Sequence, residues 1–151
     1  MKQIILYQTL LDVEIRGYIE MELFLENKGF LLDNLKIGIF SGHDQSSSSD
    51  AIKVAQYLNI GTIYKFSALN RSVNNLNKEL MEMSEVVFKK DYDVIFFVSY
   101  HLKIIEFTKM ITENYFRNQQ ILSIISLPGS IINIDLEQKN IQVFNPDNVL
   151  N

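Results

Sequence analysis

The sequence contains no cysteine, which removes disulfides, thiolate metal sites and cysteine nucleophiles together. It also lacks a basic cluster: 14 Lys and Arg stand against 18 Asp and Glu, for a net charge of −4. A phosphate-backbone footprint needs concentrated positive charge, so no nucleic-acid partner is expected. No apolar stretch approaches the roughly 20 residues needed to cross a bilayer. The opening MKQIILYQTLLDVE carries one Lys and a short apolar run before polar residues arrive, unlike a signal peptide. No membrane partner is expected, and the expected location is cytoplasmic. There are two histidines, His43 and His101, and without a carboxylate cluster they make a weak metal site. Neither GxxxxGK[ST] nor GxSxG occurs, so a nucleotide P-loop and a serine-hydrolase elbow have no footing. No metal and no cofactor is expected.

What is present is ordinary globular material. Hydrophobic residues make up 47% of the 151 and charged residues 21%, enough for one α/β domain over 1–151 with a sizeable core. Strand and helix patterns alternate. QIILY (Gln3 to Tyr7) is a short β-branched run. From Asp12 to about Asn27, Ile15, Tyr18, Ile19 and Leu23 recur at helical spacing, and Gly29 can end that helix. LKIGIF (Leu35 to Phe40) reads as a second strand. Ala51, Val54, Ala55 and Leu58 then follow the i, i+3, i+4, i+7 pattern, with Ser or Asp before them as a cap. GTIYKF (Gly61 to Phe66) reads as a third strand, and Asn74 to Lys90 as a helix with Leu76, Leu80, Met83 and Val87 on one face. YDVIFFVSY (Tyr92 to Tyr100) is continuously apolar, the mark of a central strand covered on both faces. Ile104, Phe107, Ile111 and Tyr115 form a helical stripe. The tail changes character: ILSIISL, a Pro-Gly, then two strands, Ile131–Leu136 and Ile141–Phe144, closed by LEQKN. This order predicts a mostly parallel sheet with helices on both faces and a C-terminal β-hairpin.

In open α/β sheets ligands bind beyond the carboxyl ends of the strands. That rule nominates Tyr7-Gln8-Thr9, Ser41 to Ser49, Ser67 to Arg71 and Ser99-Tyr100-His101. The second stretch has the clearest physical case. Unsatisfied N–H groups at a helix start carry the positive end of the helix dipole, and serine hydroxyls add donors. Its plain alternative is that Ser47 or Ser48 caps the helix in a solvated loop. His101, just past a buried strand, can act as general acid/base or nucleophile, or simply begin a helix.

Taken together, these stretches resemble the histidine phosphatase superfamily, the phosphoglycerate mutase-like group, and especially its short bacterial branch. The layout of nearly the whole chain carries the resemblance. KQIILYQTL stands where members run a strand into Arg-His-Gly. IGIFSGHDQSSSSDAIKVAQYL looks like their strand, Ser-containing loop with an Arg, and helix. DVIFFVSYHLKIIEF is similar to a later strand ending in Ser-His or Gly-His, and LPGSIINIDLEQKNIQVFNPDNV to the terminal strand pair and tail. The resemblance implies a first histidine that attacks phosphorus, two arginines and a second histidine around the phosphoryl oxygens, and a carboxylate as proton donor. Here the first Arg falls on Tyr7, the nucleophile on Gln8 and the loop Arg near Gln45. The second His falls on Tyr100, or on His101 with a shift of one residue. The acid falls around Ala68 to Asn70, where there is no carboxylate, and the stretch between the first two strands is shorter than usual.

Glutamine cannot form a phosphoenzyme, and neutral Tyr and Gln cannot replace the lost charge, which commonly supplies several kcal/mol of transition-state stabilisation. The expected function is therefore a degenerate, non-catalytic domain with an anion or phospho-ligand pocket at Gln8, Gln45, Ser46, Ser47, Ser48, Tyr100 and His101. Two alternatives stay open: a phosphoesterase with altered residues that uses His101 or His43, and an unrelated flavodoxin-like small-molecule or nucleotide binder. The hairpin residues Ile131, Ile132, Ile134, Ile141, Val143 and Phe144 exceed what one face of a strand pair buries, which leaves a homodimer open.

Overall fold

A computed structural model describes residues 3–9, 35–70, 76–115 and 131–144. The helix expected over Asp12 to Asn27, the ILSIISL segment and the tail after Phe144 lie outside them. The described strands are β1 (Gln3–Thr9), β2 (Ile37–Ser41), β3 (Tyr64–Lys65), β4 (Val94–Tyr100), β5 (Ile131–Asp135) and β6 (Asn140–Phe144). The helices are α1 (Gln45–Tyr57), α2 (Leu76–Phe88) and α3 (His101–Tyr115). The sheet order is β3-β2-β4-β1-β5-β6. The first four strands in that order are parallel, and the last two form an antiparallel pair added beside β1. A flavodoxin-type sheet runs 2-1-3-4-5, so the flavodoxin-like alternative is corrected by the strand order.

The two-residue alternation of the strands sorts the core into two layers. Ile5 and Tyr7 of β1 share a face with Ile39, Val94, Phe96 and Val98, and Ala51, Val54, Ala55 and Leu58 of α1 cover it. Ile4 and Leu6 share the other face with Phe40, Ile95 and Phe97. Leu80, Met83 and Val87 of α2 and Ile104, Phe107 and Ile111 of α3 cover that side. Phe97 lies at its centre, its ring 4.7 Å from Phe107 and 5.6 Å from Phe40. Among the described residues no helix is long and apolar enough to cross a membrane.

The hairpin forms as the alternation predicts. Its turn is set by Asp135, whose Oδ1 accepts the N–H groups of Glu137 and Gln138 at 3.0 Å, and by Lys139 in the left-handed region with φ 53°. Ile131, Ile132 and Ile134 are buried, and Ile141 and Val143 pack half-buried on the α2/α3-side core. These five side chains find full or partial cover within the chain; that of Phe144 lies outside the described side chains.

Two expectations are corrected. The Ser-rich stretch is not a loop: α1 begins at Gln45, so Ser46 to Ser49 are helical and the cap is Asp44. A carboxylate at that position accepts N–H bonds and opposes the helix dipole at once, so it outcompetes the serines that follow. The third strand shrinks from six residues to Tyr64–Lys65. It pairs only with β2, and the chain then turns into a one-turn 3-10 helix, Ser67–Leu69.

This turn lies across the carboxyl ends of β2 and β4. The Phe66 N–H donates to the Ser41 carbonyl at 3.0 Å, and the Leu69 carbonyl accepts the Ser99 hydroxyl. A Cβ built on Gly42 would meet the Leu69 carbonyl oxygen at 2.5 Å. Gly42 is therefore needed for the close approach of two backbones.

One charged side chain is among the fully buried ones. Lys103, in the first turn of α3, is 2% exposed. Burial pushes its ammonium below the ordinary lysine range, and the Glu79 carboxylate pulls weakly in the opposite direction.

Two outcomes follow for stability. Gly42→Ala should cost about 1–3 kcal/mol, because a rigid backbone carbonyl must give way. A lowered urea midpoint at unchanged slope would show it. Lys103→Met should modestly stabilise the protein at pH 7, by the part of the desolvation penalty on its ammonium that solvent does not screen. Because the folded value is depressed, the penalty is fully present below it. As pH rises towards 10.5 the unfolded chain binds more protons than the folded one, and the penalty disappears. The gap between variant and wild type should narrow in urea titrations repeated at rising pH; a gap independent of pH would contradict this.

Candidate functional site

The register of the central strands decides which residues meet. Gln8 of β1 lies opposite Ser99 of β4, Thr9 opposite Tyr100, and Ser41 of β2 opposite Val98 on the other side of β4. The helix α3 begins at His101 with no intervening loop. The ends of three parallel strands and the starts of α1 and α3 therefore share one edge, as expected for an α/β ligand site. Gln8, Tyr100 and His101 are neighbours on its β1–β4 half. Gln45, Ser46, Ser47 and Ser48 stand on the β2 half, and Arg71 lies outside the described residues.

The β2 half is closed by its own hydrogen bonds. Asp44 Oδ2 accepts the Ser47 N–H at 3.1 Å and the Ser47 hydroxyl at 2.8 Å. The Ser48 hydroxyl donates to the Gly42 carbonyl at 3.2 Å, and the Ser41 hydroxyl donates to the same oxygen at 3.1 Å. The His43 N–H donates to the Asn70 side chain, which ties the loop to the crossing turn. The serine donors and the helix start are thus turned inward onto a carboxylate and a carbonyl. The second oxygen of Asp44, Oδ1, is buried without a hydrogen-bond partner. His43 and Gln45 are exposed, and Ser46 is half-buried.

Tyr7, at the position where the resemblance implies the first arginine, is buried in the α1-side core. The expected absence of an acid at Ala68 to Asn70 needs an addition that the sequence pattern did not reveal. Glu79, in the first turn of α2, faces the same region, because α2 follows the crossing turn and starts at the same edge. With Phe66, Ser67, Ala68, Glu82, Met83 and Val86 it lines a cleft of about 330 Å³. Two carboxylates on one cleft make it a poor receptor for an anion. Lys103 was also missed: its spacing within the apolar stripe of α3 is visible, but a lysine there reads as solvated until burial is known. Among the described residues no group of three His, Cys, Asp or Glu could hold a metal ion.

No family model and no curated protein matches the sequence. Solved structures do match in shape. A phosphoglycerate mutase from Plasmodium falciparum superposes with a TM-score of 0.59 at 14% identity, over 95% of this chain and 89% of that one. A phosphoserine phosphatase mutant from Entamoeba histolytica, in complex with phosphoserine, gives 0.56 at 11% identity, over 96% of both chains. YhfR from Bacillus stearothermophilus gives 0.61 at 9% identity, over 95% of both. The mixed sheet, its helices on both faces and the terminal strand pair are shared with these histidine phosphatase structures: the chain has their fold.

Proposed function

We propose that this domain keeps the histidine phosphatase fold without the chemistry, and serves as a binding domain for a small anion or phospho-ligand. The observation that carries the non-catalytic part of the reading is the carboxylate of Asp44 at the N-cap of α1. It takes up the donors that an anion at that helix start would use, and it repels a phosphoryl dianion brought into the same loop. Gln8 supports the same reading, since an amide at the end of β1 offers no lone pair basic enough to attack phosphorus. Anion recognition is then left to the β1–β4 half, to Gln8, Tyr100 and His101, with Gln45 and Ser46 at the rim. The similar structures include a phosphoserine phosphatase bound to phosphoserine, which makes phosphomonoesters the first ligand class to try.

The test is hydrolysis of a generic aryl phosphate by wild type and by His101→Ala and His43→Ala, prepared identically. All three should release phosphate no faster than buffer alone. Turnover in the wild type that one histidine substitution abolishes would overturn the reading and leave a phosphoesterase with altered residues.

A further inference from the structure

We propose that the cleft between the crossing turn and α2 receives an arginine side chain from an extended segment of a partner protein. The site is separate from the ends of β1 and β4, and the inference does not rest on the anion-binding reading above.

The cleft joins an apolar lining to two carboxylates. Its volume is about 330 Å³. Among its lining residues Ala68 and Met83 are buried, Phe66 is half-buried, and Val86 is 51% exposed. Glu79, Glu82, Met83 and Val86 follow the i, i+3, i+4, i+7 spacing of one helical stripe, which brings both carboxylates to the same cleft. Like charges so close on a helix surface repel each other, at a cost to α2 that a bound cation removes. A first-turn acid opposes the helix dipole, which accounts for Glu79, but Glu82 stands in the second turn. Among the described residues Glu82 has no hydrogen bond or ion pair. Glu79 has only the through-space attraction of Lys103, which is buried and forms no salt bridge with it. The cleft therefore complements a cation carried on an apolar stem.

The surroundings identify the carrier of that cation. Strand β3 ends at Lys65, immediately before Phe66, and is the terminal strand of the described sheet, paired only with β2. Among the described strands its outer edge is open, and an extended chain can add to such an edge. A peptide laid there reaches the cleft with its side chains. An exposed ion pair contributes little by itself, so the apolar lining matters. The methylenes of an arginine cover Phe66, Ala68 and Met83, and its guanidinium stacks on the Phe66 ring. The planar fork of five N–H donors bridges two carboxylates, whereas a lysine ammonium is a compact, strongly hydrated point charge.

The experiment follows the backbone amide resonances of the isotope-labelled full chain. Short acetylated Ser-Gly peptides carrying one central Arg, Lys or citrulline are titrated into the millimolar range. The Arg peptide should give saturable shifts at Ser67, Ala68, Glu82 and Val86. The Lys peptide should bind severalfold more weakly, and the neutral citrulline peptide should leave these resonances in place. Glu79→Gln and Glu82→Gln should each weaken the Arg peptide severalfold, and the double variant should abolish its binding. Both side chains are exposed, so the fold tolerates the change. Glu113→Gln, at an exposed acid on α3, should leave binding unchanged. No saturable shift at the cleft overturns the proposal, and so does an equal response to the citrulline or the Lys peptide. A loss in Glu113→Gln as large as in Glu82→Gln overturns it too, since net charge is then what the peptide senses. Agmatine binding as tightly as the Arg peptide would make the occupant a small organic cation. Shifts of the same residues with protein concentration alone would make it a second copy of this chain. Either result overturns the assignment to a partner's arginine.

Discussion

The burial of β4 on both faces and both edges is the constraint on which the rest of this molecule depends. Val94 to Ser99 are buried without interruption, β1 pairs on one side and β2 on the other. A strand so enclosed must satisfy every backbone group through its neighbours, so its register sets theirs. That register brings Gln8 level with Ser99 and Ser41 level with Val98. From Ser99 the constraint passes outward, because its hydroxyl binds the Leu69 carbonyl and fixes the turn that crosses the edge. Gly42 yields the space for that crossing.

The two halves of this edge are built differently. On the β2 side a carboxylate has been folded into the helix start, and the Ser41, Ser47 and Ser48 hydroxyls donate to Asp44 or to the Gly42 carbonyl. On the β4 side Lys103 of α3 is 2% exposed, and the Glu79 carboxylate acts on it through space. A site that binds and turns over phosphoryl groups gathers cations around a nucleophile. Here the start of α1 is answered internally by its own carboxylate.

Much of this was legible in the sequence, for identifiable reasons. The continuous apolar run Val94–Val98 has no reading except a doubly covered strand, and the alternation in Ile131 to Phe144 specified the hairpin. The four carboxyl-end stretches followed from element order alone. The Ser run misled because serine is both a helix cap and a tolerable first-turn residue, and only the geometry of Asp44 decides between them. The third strand read too long because Ile63, Tyr64 and Phe66 are good strand formers, yet an edge strand with one partner lasts only as long as that partner lies beside it. The cleft position of Glu79 and the burial of Lys103 were invisible in the sequence. Each belongs to a helix face whose exposure depends on how α2 and α3 pack together, which is a property of the tertiary structure.

The position of β1 bears on how the chain folds. Of the described strands, the earliest in sequence sits near the centre of the sheet, and its two partners, β4 and β5, begin at Val94 and Ile131. Among the described strands, Ile4, Ile5 and Leu6 have no other strand to join until those segments exist. Loop-closure entropy must be spent across most of the chain before the central pairings repay it. Completion of the sheet therefore waits on β4 and β5, and β1 is open to premature association in the interval.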